Sequence, residues 1–126
     1  HPNQPDKGDP TNRPYLNEGI VIKYSANQKY TTDAVSGALF KMLCERAGVP
    51  YQTFHNRSDI LGGSTLGNIS TSQVPLNTVD VGLPQLAMHS CCETAGVKDT
   101  AYLAEAARVL FSTSVRGLGD GDYRLE

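Results

Sequence analysis

The stretch "GIVIKYSANQKYTTDAVSGALFKMLCERAGVPYQTFHNR", residues 19–57, decides the fold. Its opening, "GIVIKYSA" (19–26), is β-branched and apolar and reads as a buried strand. In "TTDAVSGALFKMLCERAG" that follows, Ala34, Val35, Ala38, Leu39, Met42 and Leu43 recur at helical spacing. Thr31 or Thr32 is placed to cap this helix, Gly48 sits just past its end, and Pro50 stops it. "YQTFHNR" (51–57) alternates and reads as a second strand. A strand, a helix and a strand in succession open an α/β pattern.

Downstream, "LGNISTSQV" (66–74) reads as a short helix and "NTVDVG" (77–82) as a third strand. The last helix is expected over 99–114, with Asp99 as its N-cap and Tyr102, Leu103, Ala106, Val109 and Leu110 along one side. The order is α/β, with a largely parallel or mixed sheet. Residues 1–18 hold Pro2, Pro5, Pro10 and Pro14 and are expected as an extended loop. Residues 19–114 form the main unit. The polar, glycine-rich 115–126 is expected as a loose tail.

Composition sets outer limits. The 126 residues are 39% apolar and 19% charged, which suits one packed domain or part of one. The net charge is −2 with both signs scattered, so no basic block awaits nucleic acid. No apolar run reaches membrane-spanning length, and "HPNQPDKGDP" lacks the apolar centre of a signal peptide. Three cysteines, Cys44, Cys91 and Cys92, argue against a disulfide framework and fit a reducing, cytoplasmic setting.

Ligands of open α/β sheets gather beyond the carboxyl ends of strands. That points to "SDILGGST" (58–65) and "LPQLAMHS" (83–90). A histidine such as His89, in a loop after a strand, suits a zinc ligand, a general base or a structural donor. Asp80, Glu93 and Asp99 are near it in sequence but at no recognisable metal spacing, and His1 and His55 are distant. Cys91 and Cys92 are adjacent, whereas zinc sites space cysteines by two to four residues. They read as small residues packing near the loop. "GGST" (62–65) serves either as a backbone cradle for an anion or as a glycine turn capped by Ser64 or Thr65. Lys23 interrupts an apolar strand. It either reaches solvent from the strand end or stands as a cation beside a pocket for an acidic group.

Four segments together carry a resemblance: "HPN" (1–3), "GIVIKYSANQKY" (19–30), "NRSDILGGSTLGNIS" (56–70) and "TVDVGLPQLAMHSCCETAGVKD" (78–99). From His1 to about Ser112 the chain resembles the aspartyl aminopeptidases, which are dinuclear zinc exopeptidases. The resemblance implies the C-terminal part of a three-layer, phosphorylase/hydrolase-like α/β catalytic domain, with a mixed sheet flanked by helices. It implies two zinc ions per active site in the intact enzyme, and His89 as their last protein ligand. The remaining ligands and the catalytic glutamate would lie upstream of His1, so no catalytic residue is expected here and the chain alone should be inactive. By the same resemblance Lys23 pairs with the acidic side chain of the substrate's first residue. Met88, Gly63 and Ser64 would line the pocket, and His1 would lie near the site or at a subunit contact. The implied substrates are peptides with N-terminal Asp or Glu, and the implied assembly is the family's dodecamer. The chain departs from the pattern at Leu61 and Gly62, where many members have "PC" ahead of the glycine and hydroxyls. "HSCCET" replaces the "HSIRE" of animal members while Glu93 keeps its place, as in a bacterial-type branch. A non-catalytic α/β domain and a related dizinc aminopeptidase of glutamyl or broader specificity are the alternatives.

Overall fold

The computed structural model describes residues 2–57 and 59–126. β1 (Ile20–Tyr24) is the centre of a three-stranded sheet. It pairs in parallel with β2 (Tyr51–His55), from Ile20 opposite Tyr51 to Tyr24 opposite His55. On its other edge it pairs antiparallel with β3 (Val81–Gly82), Val21 opposite Gly82 and Ile22 opposite Val81. The sheet is therefore mixed, in the order β2-β1-β3. A central strand covered on both faces needs apolar residues without alternation. Ile20, Val21 and Ile22 are all buried accordingly.

α1 (Ala34–Ala47) links the two parallel strands. Its cap is Asp33 rather than Thr31 or Thr32. The Asp33 carboxylate accepts the Ser36 N–H at 2.7 Å while the Ser36 hydroxyl accepts the Asp33 N–H at 3.0 Å. Thr32 is buried and accepts the Asp80 N–H at 2.8 Å, which pins the approach to β3. The other end of α1 closes as the sequence predicts, with Gly48 left-handed at φ 65°.

The buried face of α1 differs from the expected one. Phe40, Leu43 and Cys44 enter the core with Gly37 and Ser36, while Val35, Ala38 and Met42 stay outside. Both sides of the helix carry apolar residues, so periodicity alone does not choose between them. Gly37 marks the side that is used: a Cβ there would lie 2.2 Å from the Tyr24 hydroxyl, so a larger residue would have to displace the ring that β1 lays against it.

α2 (Leu66–Gln73) follows the predicted course, and the third strand shrinks to β3. The Lys23 N–H still reaches the Asp80 carbonyl at 2.9 Å just before it. α3 spans Val97–Phe111 and begins before Asp99, with Gly96 as N-cap. All five predicted apolar positions of α3 pack on the core, Ala106 and Val109 most deeply. Asp99 sits in the first turn, fully buried. It accepts the N–H groups of Asn17 at 2.7 Å and Gly19 at 3.0 Å, so it ties the entry of β1 to α3. Gly96 makes room for it, since a Cβ there would lie 2.2 Å from the carboxylate.

The expected loose tail is a hairpin. β6 (Val115–Gly119) pairs antiparallel with β7 (Asp122–Leu125) around Asp120 and Gly121, both at positive φ. Asp-Gly is the favoured pair for such a two-residue turn. Leu125 packs against the core, and the Arg46 guanidinium of α1 donates to its carbonyl at 3.0 Å. The proline-rich start carries one short 3-10 turn, Pro5–Lys7. Among the described residues no helix is long and apolar enough to cross a membrane.

Candidate functional site

Lys23 lies near the carboxyl end of β1. Its ammonium pairs with Asp80 at 2.6 Å and sits 4.9 Å from the centre of the Tyr30 ring. The lysine side chain keeps 24% of its surface and the aspartate 10%, so the pair is half-sunk and the cation still meets solvent. The second Asp80 oxygen accepts the Thr65 hydroxyl. Lys29 donates to the Gly62 carbonyl at 2.7 Å. These contacts bring the glycine turn onto the end of the sheet, beside Lys23.

Thr65 is the N-cap of α2 by position, but its hydroxyl goes to Asp80 and not to the helix. Gly63 and Ser64 are exposed, and a Cβ on Gly63 would meet nothing within 4 Å. Gly62 is the constrained glycine of the turn, because a Cβ there would press on the Asn56 amide at 2.3 Å.

The segment after β3 is more ordered than a simple loop. β4 (Gln85–Leu86) pairs antiparallel with β5 (Thr94–Ala95), and residues 87–93 form the connection. His89 stands there in the left-handed region, φ 68°, as does Ala87 at 55°. A non-glycine residue pays strain for this conformation. Glu93 offsets it: one carboxylate oxygen accepts the His89 N–H at 2.5 Å and the other accepts the Gln85 amide at 3.3 Å. His89 and Met88 are both exposed. Lys23 reaches the start of this segment, since a Cβ on Gly82 would lie 3.9 Å from its ammonium.

The expected site residues thus divide. Lys23 and the 62–65 turn converge through Asp80. His89 and Met88 project from the neighbouring β4–β5 connection. His1 lies outside the described residues. His55, on β2, stacks on Tyr24 with ring centroids 5.0 Å apart. Cys91 and Cys92, expected to pack, are exposed, and only Cys44 is buried. Burial pushes the Cys44 thiol up to about 11, which leaves it inert at neutral pH. Asp80 and Glu93 were not singled out as partners by sequence reasoning. A carboxylate inside "TVDVG" was the available signal, because a half-buried aspartate needs a cation nearby.

Among the described residues no three His, Cys, Asp or Glu side chains come together as a metal site, and tight zinc binding needs three or four converging ligands. Among the described residues His89 belongs to no such group.

The mixed sheet with its flanking helices is a partial exopeptidase-like α/β domain. Residues 1–111 match the family described as "Aminopeptidase I zinc metalloprotease (M18)", and the chain belongs to that family. A "Probable M18 family aminopeptidase 2" of Clostridium novyi is 54% identical over 102 residues, covering 81% of this chain and 24% of that protein. The cryo-EM structure of an Ape4 and Nbr1 complex superposes with a TM-score of 0.86 at 40% identity, covering 88% of this chain and 21% of that one. The S. cerevisiae mApe1 dodecamer gives 0.77 at 30% identity, covering 89% and 24%. The chain therefore spans about a quarter of the length of the relatives it matches. The hairpin of residues 115–125 lies beyond the family match.

Proposed function

We propose that this chain is the C-terminal part of the catalytic domain of a zinc aminopeptidase that removes N-terminal Asp or Glu from peptides. The observation that carries the reading is Lys23. A cation at a strand end, held by Asp80 and the Tyr30 ring yet open to solvent, suits a substrate carboxylate. An ammonium at a fixed position discriminates acidic from neutral first residues by attraction to one and by an unpaired charge with the other. Met88, Gly63 and Ser64, all exposed, would contact the same residue of the substrate.

His89 is the residue of this chain proposed as a zinc ligand, with two zinc ions per site in the whole enzyme. The Glu93 contact supports the role by fixing the backbone from which the imidazole projects. The missing ligands would come from other parts of the protein, so the chain alone is inactive. Cytoplasmic location and a dodecameric assembly, the latter as in the mApe1 neighbour, complete the proposal.

The test is peptidase activity with N-terminal aspartyl, glutamyl and alanyl substrates. In the whole enzyme carrying this segment, Lys23→Met should lower kcat/KM for aspartyl and glutamyl substrates about a hundredfold, with little effect on alanyl ones. An unchanged preference in that variant would sink the specificity reading. Chelator-sensitive hydrolysis by the 126-residue chain itself would sink the prediction of inactivity.

A further inference from the structure

We propose that Cys91 and Cys92 form a vicinal dithiol that captures a monosubstituted trivalent arsenical through both sulfurs. The two thiols are free and exposed on the β4–β5 connection. In an extended strand successive side chains point to opposite faces. Cys91 and Cys92 lie in bends of the connection and in no strand, so the strand rule does not set their side chains on opposite faces. Ser90 folds around Cys92: its hydroxyl donates to the Cys92 carbonyl at 2.8 Å and accepts the Cys92 N–H at 3.2 Å. The connection is anchored at both ends by β4 and β5 and across its middle by Glu93.

The geometry of neighbouring residues selects the ligand class. Consecutive Cα atoms are about 3.8 Å apart, whereas disulfides prefer roughly 4.4–6.8 Å. A direct bond between the two sulfurs is therefore strained, which keeps the thiols reduced and available. An arsenic atom placed between them lengthens the bridge and relieves that constraint. Such a centre also needs only two sulfurs. A tetrahedral zinc would need further donors, and the described residues hold no three-ligand group.

The capture is a condensation, RAs(OH)2 + 2 Cys–SH → RAs(S–Cys)2 + 2 H2O. Two As–O bonds break and two As–S bonds form. Each thiol proton leaves with a hydroxide as water, and arsenic stays trivalent, so no oxidant takes part. Cys44, buried in the core, is the internal control.

The probe is phenylarsonous acid, read by intact mass and by counting free thiols after unfolding. The 126-residue chain should hold one phenylarsenic group and keep one of its three thiols free. The second sulfur binds at an effective concentration set by its tether, so Cys91→Ser and Cys92→Ser should each weaken capture about a hundredfold. Both sites are exposed, so these variants keep the core intact. Cys44→Ala should leave capture unchanged; should that variant fail to fold, protection of the Cys44 peptide from the label in the unsubstituted chain gives the same answer. Equal capture by the single-serine variants, one arsenic shared between two chains, or no adduct would each overturn the proposal.

Discussion

The carboxylate of Glu93 holds the backbone N–H of His89 at 2.5 Å, across a turn in which His89 is left-handed. A histidine adopts this conformation when something nearby favours it, and the contact supplies that preference. Glu93→Ala should speed exchange of the His89 amide about tenfold, the effect of losing one charge-assisted hydrogen bond. Global stability should move by less than about 0.5 kcal/mol, because the loop is exposed. Hydrogen exchange resolved at His89 is the check; an unchanged rate would mean the contact does not hold the turn.

Asp99 is fully buried and satisfied by two backbone N–H groups from the entry to β1. Asp99→Ala leaves both donors without an acceptor, at a cost of about 2–4 kcal/mol. Asp99→Asn retains one carbonyl oxygen and should cost less. Urea unfolding of the two variants tests the order, and a smaller loss for alanine would contradict it.

The capping box of α1 makes stability depend on pH. The Ser36 backbone N–H holds the Asp33 carboxyl below its ordinary value of 3.8. A lowered folded-state value means the charged form favours the folded chain. The contribution is therefore complete above the ordinary value and fades as pH falls through 3.8 and below. Asp33→Ala should cost about 1 kcal/mol at pH 7, and the gap to the unsubstituted chain should narrow on acidification through that range. Thermal unfolding at several pH values would show it; a gap independent of pH would remove the charge from the explanation.

Lys23 and Asp80 join β1 to the approach of β3. A half-buried pair of this kind should show a coupling of about 1 kcal/mol in a double-mutant cycle of Lys23→Met and Asp80→Asn. Asp80→Asn should be the more damaging single change, because it also weakens the Thr65 contact. Additive losses would show that the two groups meet without cooperating.

The strand, helix and strand of residues 19–57 were legible because β1 is covered on both faces and α1 has unambiguous end signals at Gly48 and Pro50. The buried side of α1 was not, since the stripe that is used, of two apolar ones, is marked by Gly37 meeting Tyr24, a contact between elements. Asp99 looks like a cap in sequence, because its partners Asn17 and Gly19 are 82 and 80 residues away. The hairpin was written in "GDGDY" as an Asp-Gly turn, but its strands are short and β6 carries two glycines, which hid them. At the site, His89 and Lys23 stood out as odd residues in apolar surroundings. Asp80 and Glu93, which hold them, look like ordinary surface carboxylates until the chain is folded.

The tie from Asp99 to Asn17 and Gly19 also has a bearing on synthesis. The loop before β1 leaves the ribosome long before its carboxylate partner does. At about 5–20 residues per second, the intervening 80 residues take several seconds to appear. Through that interval two amide groups at the mouth of the central strand lack the acceptor they will finally have. The nascent first half is thus a waiting intermediate, with β1 able to find β2 but unable to lock its own leading edge until the last helix arrives.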